Sequence, residues 1–384
     1  MNLPPKKKQF RTVDGDMSTA PAYQVLQGDV LEHLAAIHSN SFDGCFCDPP
    51  YGLGFMGKSW DHGVPGAEVW AEVLRVLKPG AHLMAFGGTR TYHRLACNIE
   101  DAGFELRDCV MWIYGSGFPK SMSISLALDK HAGAKREVLT QQIRKGRSGG
   151  ILGKETEIVH TMSTPNTAAA AFDGYGTALK PAWEPCLVAM KQLDGTYAEN
   201  ALKHGLAGLH INGGRVGEEL IPTTTTRGVS KLGTFEKADG NVMLEHNGRW
   251  PANLILNDDL EEQVWSRFFY CAKAAQTERN AGCEALPMVM RSDGGQKVIK
   301  NGYQNMMMKN HHPCVKPIDL CRYLAPMMLP PKRDTPRKLL VPFCGSGSEM
   351  LGALNAGWDA VTGIELEAEY VKIANARLKH RSKA

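Results

Sequence analysis

Asp48-Pro49-Pro50-Tyr51 is the segment of this chain best suited to chemistry. It follows directly on the apolar run Phe42 to Cys47, and two consecutive prolines cannot continue a sheet but hold the backbone extended. The Asp48 carboxylate and the nearby carbonyls then form a rigid set of acceptors pointing out of a strand end. Such a set can take hydrogen bonds from an exocyclic amino group and draw its lone pair out of conjugation, so that the nitrogen can attack an electron-poor methyl. Tyr51 adds an aromatic face on which a base can stack. A plain turn capped by Asp48 is the structural alternative.

A second constellation lies almost three hundred positions later. A strand-like run, Lys338 to Phe343, enters Cys344-Gly345-Ser346-Gly347-Ser348, and a second strand, Ala360 to Ile364, ends at Glu365, 20 positions after Gly345. Glycines let the backbone approach a ligand, the following helix presents free N–H groups, and a carboxylate at the next strand tip can grip two ribose hydroxyls. The position three after Gly347 is Met350, so the third small residue of a dinucleotide fingerprint is missing. That pattern suits a ligand with one nucleoside and no pyrophosphate, with S-adenosylmethionine as the leading candidate. Cys271, Cys283, His311, His312 and Cys314 fit no zinc spacing, and no metal site is expected.

The elements that must position these groups alternate as strand and helix. Tyr23 to Leu26, Phe42 to Cys47, His82 to Phe86, Phe104 to Tyr114 and Glu184 to Met190 read as strands. Ala67 to Leu77 places Val69, Trp70, Val73, Leu74 and Leu77 on one helical face before Pro79-Gly80. A helix through Tyr92, Leu95 and Ile99 ends at Gly103. Pro317 opens another through Leu320, Leu324 and Met328, and Tyr370, Val371, Ala374 and Leu378 mark the last. The pattern implies an α/β, doubly wound, Rossmann-like sheet. Four segments follow: a basic tail 1–20, a first half 21–192 with an insertion at 116–181, a loop-rich module 193–301, and a second half 302–384. Residues Lys379 to Lys383 read as a second basic tail.

Charge and composition exclude several classes. With 43% hydrophobic and 22% charged residues, the 384-residue chain is ordinary for a globular protein, not collagenous, coiled-coil or disordered. No apolar stretch approaches the roughly 18 residues of a membrane span, and Pro4-Pro5-Lys6-Lys7-Lys8 precedes no apolar leader core. Ten scattered cysteines suggest reduced thiols in a cytoplasm. The net charge of +4 is too small to imply a polyanion partner by itself. Between Lys130 and Lys154, however, seven Lys/Arg face Glu137 alone, which makes Arg144, Lys145 and Arg147 candidates for phosphate contact, against a solvated loop.

Taken together, these motifs resemble those of amino-group DNA methyltransferases in the permuted order, with the catalytic motif first and the cofactor motif last. The resemblance runs from about Gln27 to Leu378. Gln27-Gly28-Asp29, Ser41-Phe42-Asp43 and Asp48-Pro49-Pro50-Tyr51-Gly52 look like the catalytic half, and Lys58-Ser59-Trp60-Asp61 extends it as in phage and prophage members. Asn310-His311-His312-Pro313-Cys314-Val315-Lys316-Pro317 is similar to the segment that holds the methionine part of the cofactor, Pro342 to Ser348 to the cofactor loop, and Gly363-Ile364-Glu365 to the ribose grip. Gly248 to Asn253 and Phe268 to Lys273 also look like segments of phage-type enzymes.

The resemblance implies that Asp48 and the Pro50 carbonyl accept from the target amino group, with Pro49 holding the turn and Tyr51 stacking a base flipped from double-stranded DNA. It also implies that Phe343 packs on the cofactor adenine, Asp29 bonds its amino group, Lys316 meets the methionine carboxylate, and Gly345, Gly347 and Glu365 form the loop and ribose grip. The alternatives are that Asp29 caps a helix, Lys316 is a surface lysine and Phe343 is core. The family's acidic residue before Pro-Phe is here Val341, a departure that Glu349 in the next helical turn could offset. The expected reaction is methyl transfer to adenine N6. Cytosine N4, a degenerate DNA-binding protein and a protein glutamine amide are the alternatives. A homodimer is compatible with the sequence, and no membrane partner is expected.

Overall fold

The computed structural model describes residues 22–54, 59–114, 121–134, 136–148, 154–164, 167–225, 242–256, 269–290, 296–299, 302–305 and 307–381. The basic tail 1–20, Lys58, Phe268 and residues 116–120 of the insertion lie outside the described residues. The contacts divide the chain into a larger unit, 1–111 with 185–384, and a smaller one, 112–184.

The larger unit is organised on a nine-stranded sheet: β1 (Tyr23–Gln27), β2 (Phe42–Cys47), β3 (Leu77–Phe86), β4 (Glu105–Ile113), β5 (Trp183–Met190), β6 (Leu254–Leu256), β7 (Phe269–Tyr270), β8 (Lys338–Pro342) and β9 (Ala360–Glu365). Their order across the sheet is β1-β9-β8-β2-β3-β5-β4-β6-β7. The run from β1 through β3 is parallel, and β5 returns antiparallel against β3. Strands from the two ends of the chain are thereby interleaved: β8 pairs with β2 in the register Leu339↔Gly44 and Leu340↔Cys45. Asp43, fully buried, ties that junction by accepting from Lys78 Nζ at 2.6 Å and from the Lys338 N–H at 2.8 Å.

Helices cover the sheet where the apolar spacing requires. Helix α1 (Val30–Ala35) follows β1, and α2 (Ala67–Val76) buries Val69, Trp70, Val73 and Val76 against the core containing Cys45, Leu83 and Leu340. Helix α3 (Tyr92–Asp101) adds Leu95 and Ile99. Farther along are α4 (Tyr197–His204), with a Thr196/Glu199 capping box, and α5 (Gln276–Asn280). The last three are α6 (Ile318–Leu324), α7 (Ser348–Asn355) and α8 (Ala368–Arg381).

Three details differ from the expectation. Strand β3 begins at Leu77, not His82, because the pairing absorbs Pro79-Gly80 as an irregularity between Phe42↔Leu77 and Gly44↔His82, where Gly80 takes φ +77°. Helix α6 stops at Leu324, and a 3₁₀ turn with Pro326 carries the chain to Met328, since proline removes a helical N–H. Lys379, His380 and Arg381 are the last turn of α8, not a tail, where cations suit the negative helix end. Among the described residues, no helix is long and apolar enough to cross a membrane.

The smaller unit holds a helix, Ile124–His131, and a long antiparallel hairpin, Glu137–Ser148 with Lys154–Thr164, where the composition suggested loop. The register sets Arg144 opposite Ile158, Lys145 opposite Glu157 and Arg147 opposite Glu155. The basic run is therefore matched across the hairpin by acidic positions that begin just after Lys154. Within this unit Arg136 Nε meets the buried Asp129 carboxylate at 2.5 Å.

Candidate active site at neighbouring strand tips

The carboxyl ends of β1, β9, β8 and β2 are consecutive across the sheet, and each carries part of the site. Asp29 follows β1, Glu365 ends β9, Phe343 to Gly347 leave β8, and Asp48 to Tyr51 leave β2. At about 4.8 Å per strand the row from β1 to β2 spans roughly 14 Å. Open α/β sheets bind ligands outside such carboxyl ends.

At the β2 end, Asp48 is part-buried and its two oxygens take different donors. Oδ1 accepts from the Tyr51 hydroxyl at 2.7 Å, and Oδ2 accepts from Lys316 Nζ at 2.6 Å. Lys316 also donates to the Tyr51 hydroxyl oxygen at 3.0 Å, and its ammonium sits 5.3 Å from the Tyr51 ring centroid and 4.7 Å from that of Phe86. The Lys316 side chain is 6% exposed, so a lysine 268 residues away in sequence is committed to this carboxylate.

The turn after Asp48 is held from behind. Asp61, buried, accepts the N–H groups of Tyr51 and Gly52 at 2.8 Å each through Oδ1 and that of Leu53 at 3.3 Å through Oδ2, while its backbone carbonyl accepts the Gly54 N–H at 2.8 Å. Thr91 Oγ1 donates to the Tyr51 carbonyl at 2.6 Å. Gly52 has φ +65°, and a side chain there would press on the Gly63 and Val64 backbone at 2.9 Å. Prolines had explained why this turn is stiff; the carboxylate that fixes its direction was not identified from sequence. Its one signal was an acid ten residues downstream, in Ser59-Trp60-Asp61.

At the β8 end, Phe343 is a non-glycine residue at φ +60°, which is uncommon and marks a locally constrained turn. Its ring is partly buried against the core. Gly345 takes φ +50° and Gly347 φ +78°, both in the left-handed region that glycine tolerates. The His312 ring lies where a Gly345 side chain would be, 2.7 Å from an ideal Cβ. Burial, with Arg279, Arg377 and Lys316 nearby, lowers the His312 pKa to about 3, so this ring is neutral. It packs edge-on against Tyr370 at 4.5 Å.

Glu365 Oε2 accepts the Gly345 N–H at 2.8 Å and Oε1 accepts the Glu367 N–H at 2.9 Å. Burial raises its pKa, while those two N–H groups pull it back. Asp29 caps α1 through Oδ1, which accepts from the Leu31 and Glu32 N–H groups at 2.9 and 3.2 Å. The Gly28 N–H donates to the Glu365 carbonyl at 2.9 Å, which seats Asp29 beside the β9 tip.

Two supports of the Gly345 loop and of the segment beside it lay outside the sequence expectation. Arg377, 2% exposed in α8, donates through Nη1 to the Ser346 carbonyl at 2.8 Å and to the hydroxyls of Ser346 and Ser348 at 3.0 and 3.1 Å. Helix α5 clamps the segment that carries Lys316: Asn280 Oδ1 accepts the Asn310 N–H, Arg279 Nη2 donates to the His312 carbonyl, and Glu278 Oε1 accepts the Ile318 N–H. Glu349 is 4% exposed, and burial followed by the neighbouring Asp48 charge raises its carboxyl to about 7. Val341, by contrast, is fully buried in β8. Arg144, Lys145 and Arg147 belong to the smaller unit's hairpin.

The profile of a family described as DNA methylase, of the N6/N4 methyltransferase type, matches residues 42–376, a span that includes both loops; the chain belongs to that family. Among solved structures, it is similar to the complex of M1.HpyAVI with SAM, at 14% identity over 92% of this chain and 99% of that one, with a TM-score of 0.40. It is also similar to PvuII DNA methyltransferase, described as cytosine-N4-specific, at 14% identity over 94% of this chain and 87% of that one, with a TM-score of 0.46. Among curated proteins no sequence matches the chain.

Proposed function

We propose that this DNA methylase transfers a methyl group from S-adenosylmethionine to the exocyclic N6 of adenine in double-stranded DNA, as a phage-type member with the permuted order of motifs. The observation that most supports the reading is the placement of the Asp48 and Phe343 loops on adjacent parallel strands, β2 and β8. The resemblance to the family favours adenine over cytosine, since Asp, not Ser, opens the tetrapeptide.

The residues at the donor side fit the proposed donor by their chemistry. Phe343 offers an aromatic face for adenine, and Lys316 a cation for a carboxylate. Each Glu365 oxygen accepts one N–H and retains a lone pair for a ribose hydroxyl. When bound, the donor supplies an electron-poor methyl on a sulfonium. Gly345 and Gly347 keep the loop backbone bare, and Asp29 stands at the adenine end of the row.

On the acceptor side, Asp48 and the Pro50 carbonyl receive the two N–H groups of the target amine, which localises its lone pair. Pro49 keeps the acceptors rigid, and Tyr51 stacks the flipped base. Alignment and polar stabilisation carry the rate, with no covalent enzyme intermediate. The module at 193–301 is assigned target recognition, and Arg144, Lys145 and Arg147 are assigned phosphate contact.

Nucleotide-resolution methylation mapping of DNA from cells expressing the chain tests the reading. N6-methyladenine in one fixed sequence context is expected, and Asp48→Asn should abolish it. N4-methylcytosine in its place would transfer the assignment to cytosine, and unmodified DNA would overturn it.

A further inference from the structure

The ammonium of Lys316 is where an acceptor site should not have a cation. Asp48 is proposed to stabilise positive charge developing on an amine, yet its Oδ2 is paired to Lys316 at 2.6 Å and its Oδ1 to the Tyr51 hydroxyl at 2.7 Å. Both sides of the carboxylate are thus engaged within the protein, and the pair is largely removed from water, at 6% and 12% side-chain exposure. A charge pair in such a place interacts strongly, and a lysine beside Asp48 cancels the negative potential that the amine requires.

The lysine is not anchored to Asp48 by its backbone. Lys316 lies in the extended stretch between His312 and α6, which is fastened at both ends: His312 by Arg279, and Ile318 by Glu278. Between these fixed points the four-carbon stem can swing while the chain stays in place. The stem ends over the Phe86 and Tyr51 rings, a track of aromatic faces that a cation can follow without being stranded.

We propose that Lys316 is a positioning residue shared by the two sites: it holds Asp48 and Tyr51 in the ligand-free protein and is drawn off by the carboxylate of the methyl donor, so that donor binding frees the acceptor. This rests on the donor and acceptor assignments above. The donor's carboxylate supplies the counter-charge that Asp48 gives up, so Lys316 exchanges one anion for another. Asp48 then faces the amine with Oδ2 relieved of its lysine counter-charge, while Oδ1 keeps the Tyr51 hydroxyl, itself released from its contact to Lys316. Filling of the two sites becomes ordered, donor first, and each ligand tightens the other by the same factor.

The test compares S-adenosylhomocysteine, which carries the carboxylate, with 5′-methylthioadenosine, which lacks it. Affinity is measured by fluorescence anisotropy for a labelled duplex containing the mapped target site, on the full chain. S-adenosylhomocysteine should tighten duplex binding by about 5- to 150-fold, the usual range of coupling between sites, and methylthioadenosine should leave it unchanged. Calorimetry should show the duplex tightening S-adenosylhomocysteine by the same factor. In Lys316→Met the duplex should bind tightly without any adenosyl ligand. Equal effects of the two adenosyl compounds would overturn the exchange while leaving the methylase reading intact, and they do so in the wild-type protein even if Lys316→Met fails to fold. Absence of S-adenosylhomocysteine binding altogether would overturn both.

Discussion

Replacing Asp61 by Ala removes the acceptor for three N–H groups of the turn that follows Asp48. Two of the lost bonds, to Tyr51 and Gly52, are 2.8 Å long and the third, to Leu53, is 3.3 Å. Hydrogen bonds to a charged group contribute roughly 1.5–3 kcal/mol each. The loop is only part-buried, so water replaces some of this, and the net loss is on the order of 3 kcal/mol from two good bonds and a weak one. That much free energy corresponds to about a hundredfold in the population of the ordered turn. Displacing Tyr51 and the Pro50 carbonyl by about 1 Å would cost a similar factor in rate. In a tritiated-methyl assay kcat should therefore fall about a hundredfold. Donor affinity by calorimetry should stay within about twofold of wild type, since Glu365 and the Gly345 loop keep their contacts. Asp61→Asn retains one acceptor oxygen but turns an amide donor toward an N–H group, so it should lie between the two. A wild-type kcat in Asp61→Ala would refute the claim that this carboxylate holds the acceptor geometry.

Glu349→Gln tests the buried carboxyl beside Asp48. Because the folded pKa of Glu349 is raised to about 7 by burial and the Asp48 charge, its proton stabilises the folded state at low pH and that contribution is lost as pH rises toward 7. The melting temperature of Glu349→Gln relative to wild type should accordingly increase between pH 5 and pH 8, and a pH-independent difference would contradict the burial argument. Arg377→Met removes three bonds to the Ser346–Ser348 turn together with a buried cation whose Nε and Nη2 have no hydrogen-bond partner among the described residues. Donor affinity should fall about tenfold while thermal stability changes little, because losing a buried charge offsets lost bonds; calorimetry and a melting curve together separate the two. Neutralising Arg144, Lys145 and Arg147 should lower the slope of log affinity against log salt by at most about 2.7, three phosphate contacts at about 0.9 each. The register partners Glu155 and Glu157 argue for less than that maximum, and an unchanged slope would return the hairpin to an ordinary solvated surface.

The strands of the larger unit were legible because each is a short apolar run stopped by a turn residue, and burial on both faces of a parallel sheet demands nothing subtler. Phe42–Cys47 and Lys338–Pro342 are found where the pattern puts them, the second one residue shorter than expected. Boundaries failed where pairing overruled local preference. Pro79-Gly80 reads as a stop, yet β3 passes through it because β2 supplies partners on either side of the irregularity. The hairpin of the smaller unit was illegible for a different reason. Its strands are rich in Lys, Glu, Thr and Gln, with no apolar alternation to announce them, so only the pairing defines them.

At the site, the difference between what could and could not be read follows the direction in which a side chain acts. Groups proposed to act outward on a ligand, such as Asp48, Tyr51 and Glu365, sit at strand ends beside proline or glycine and betray themselves by that company. Groups that act inward on the protein carry no such mark. Asp61, Arg377 and the acidic and amide side chains of α5 are ordinary polar residues on helical segments until folding buries them against a loop. Lys316 belongs to both kinds. Its motif suggests an outward partner, while the fold gives it an inward one, Asp48, at 2.6 Å. In the exchange proposed for it, Lys316 changes partners during turnover, because Asp48 and a donor carboxylate compete for the charge of one ammonium.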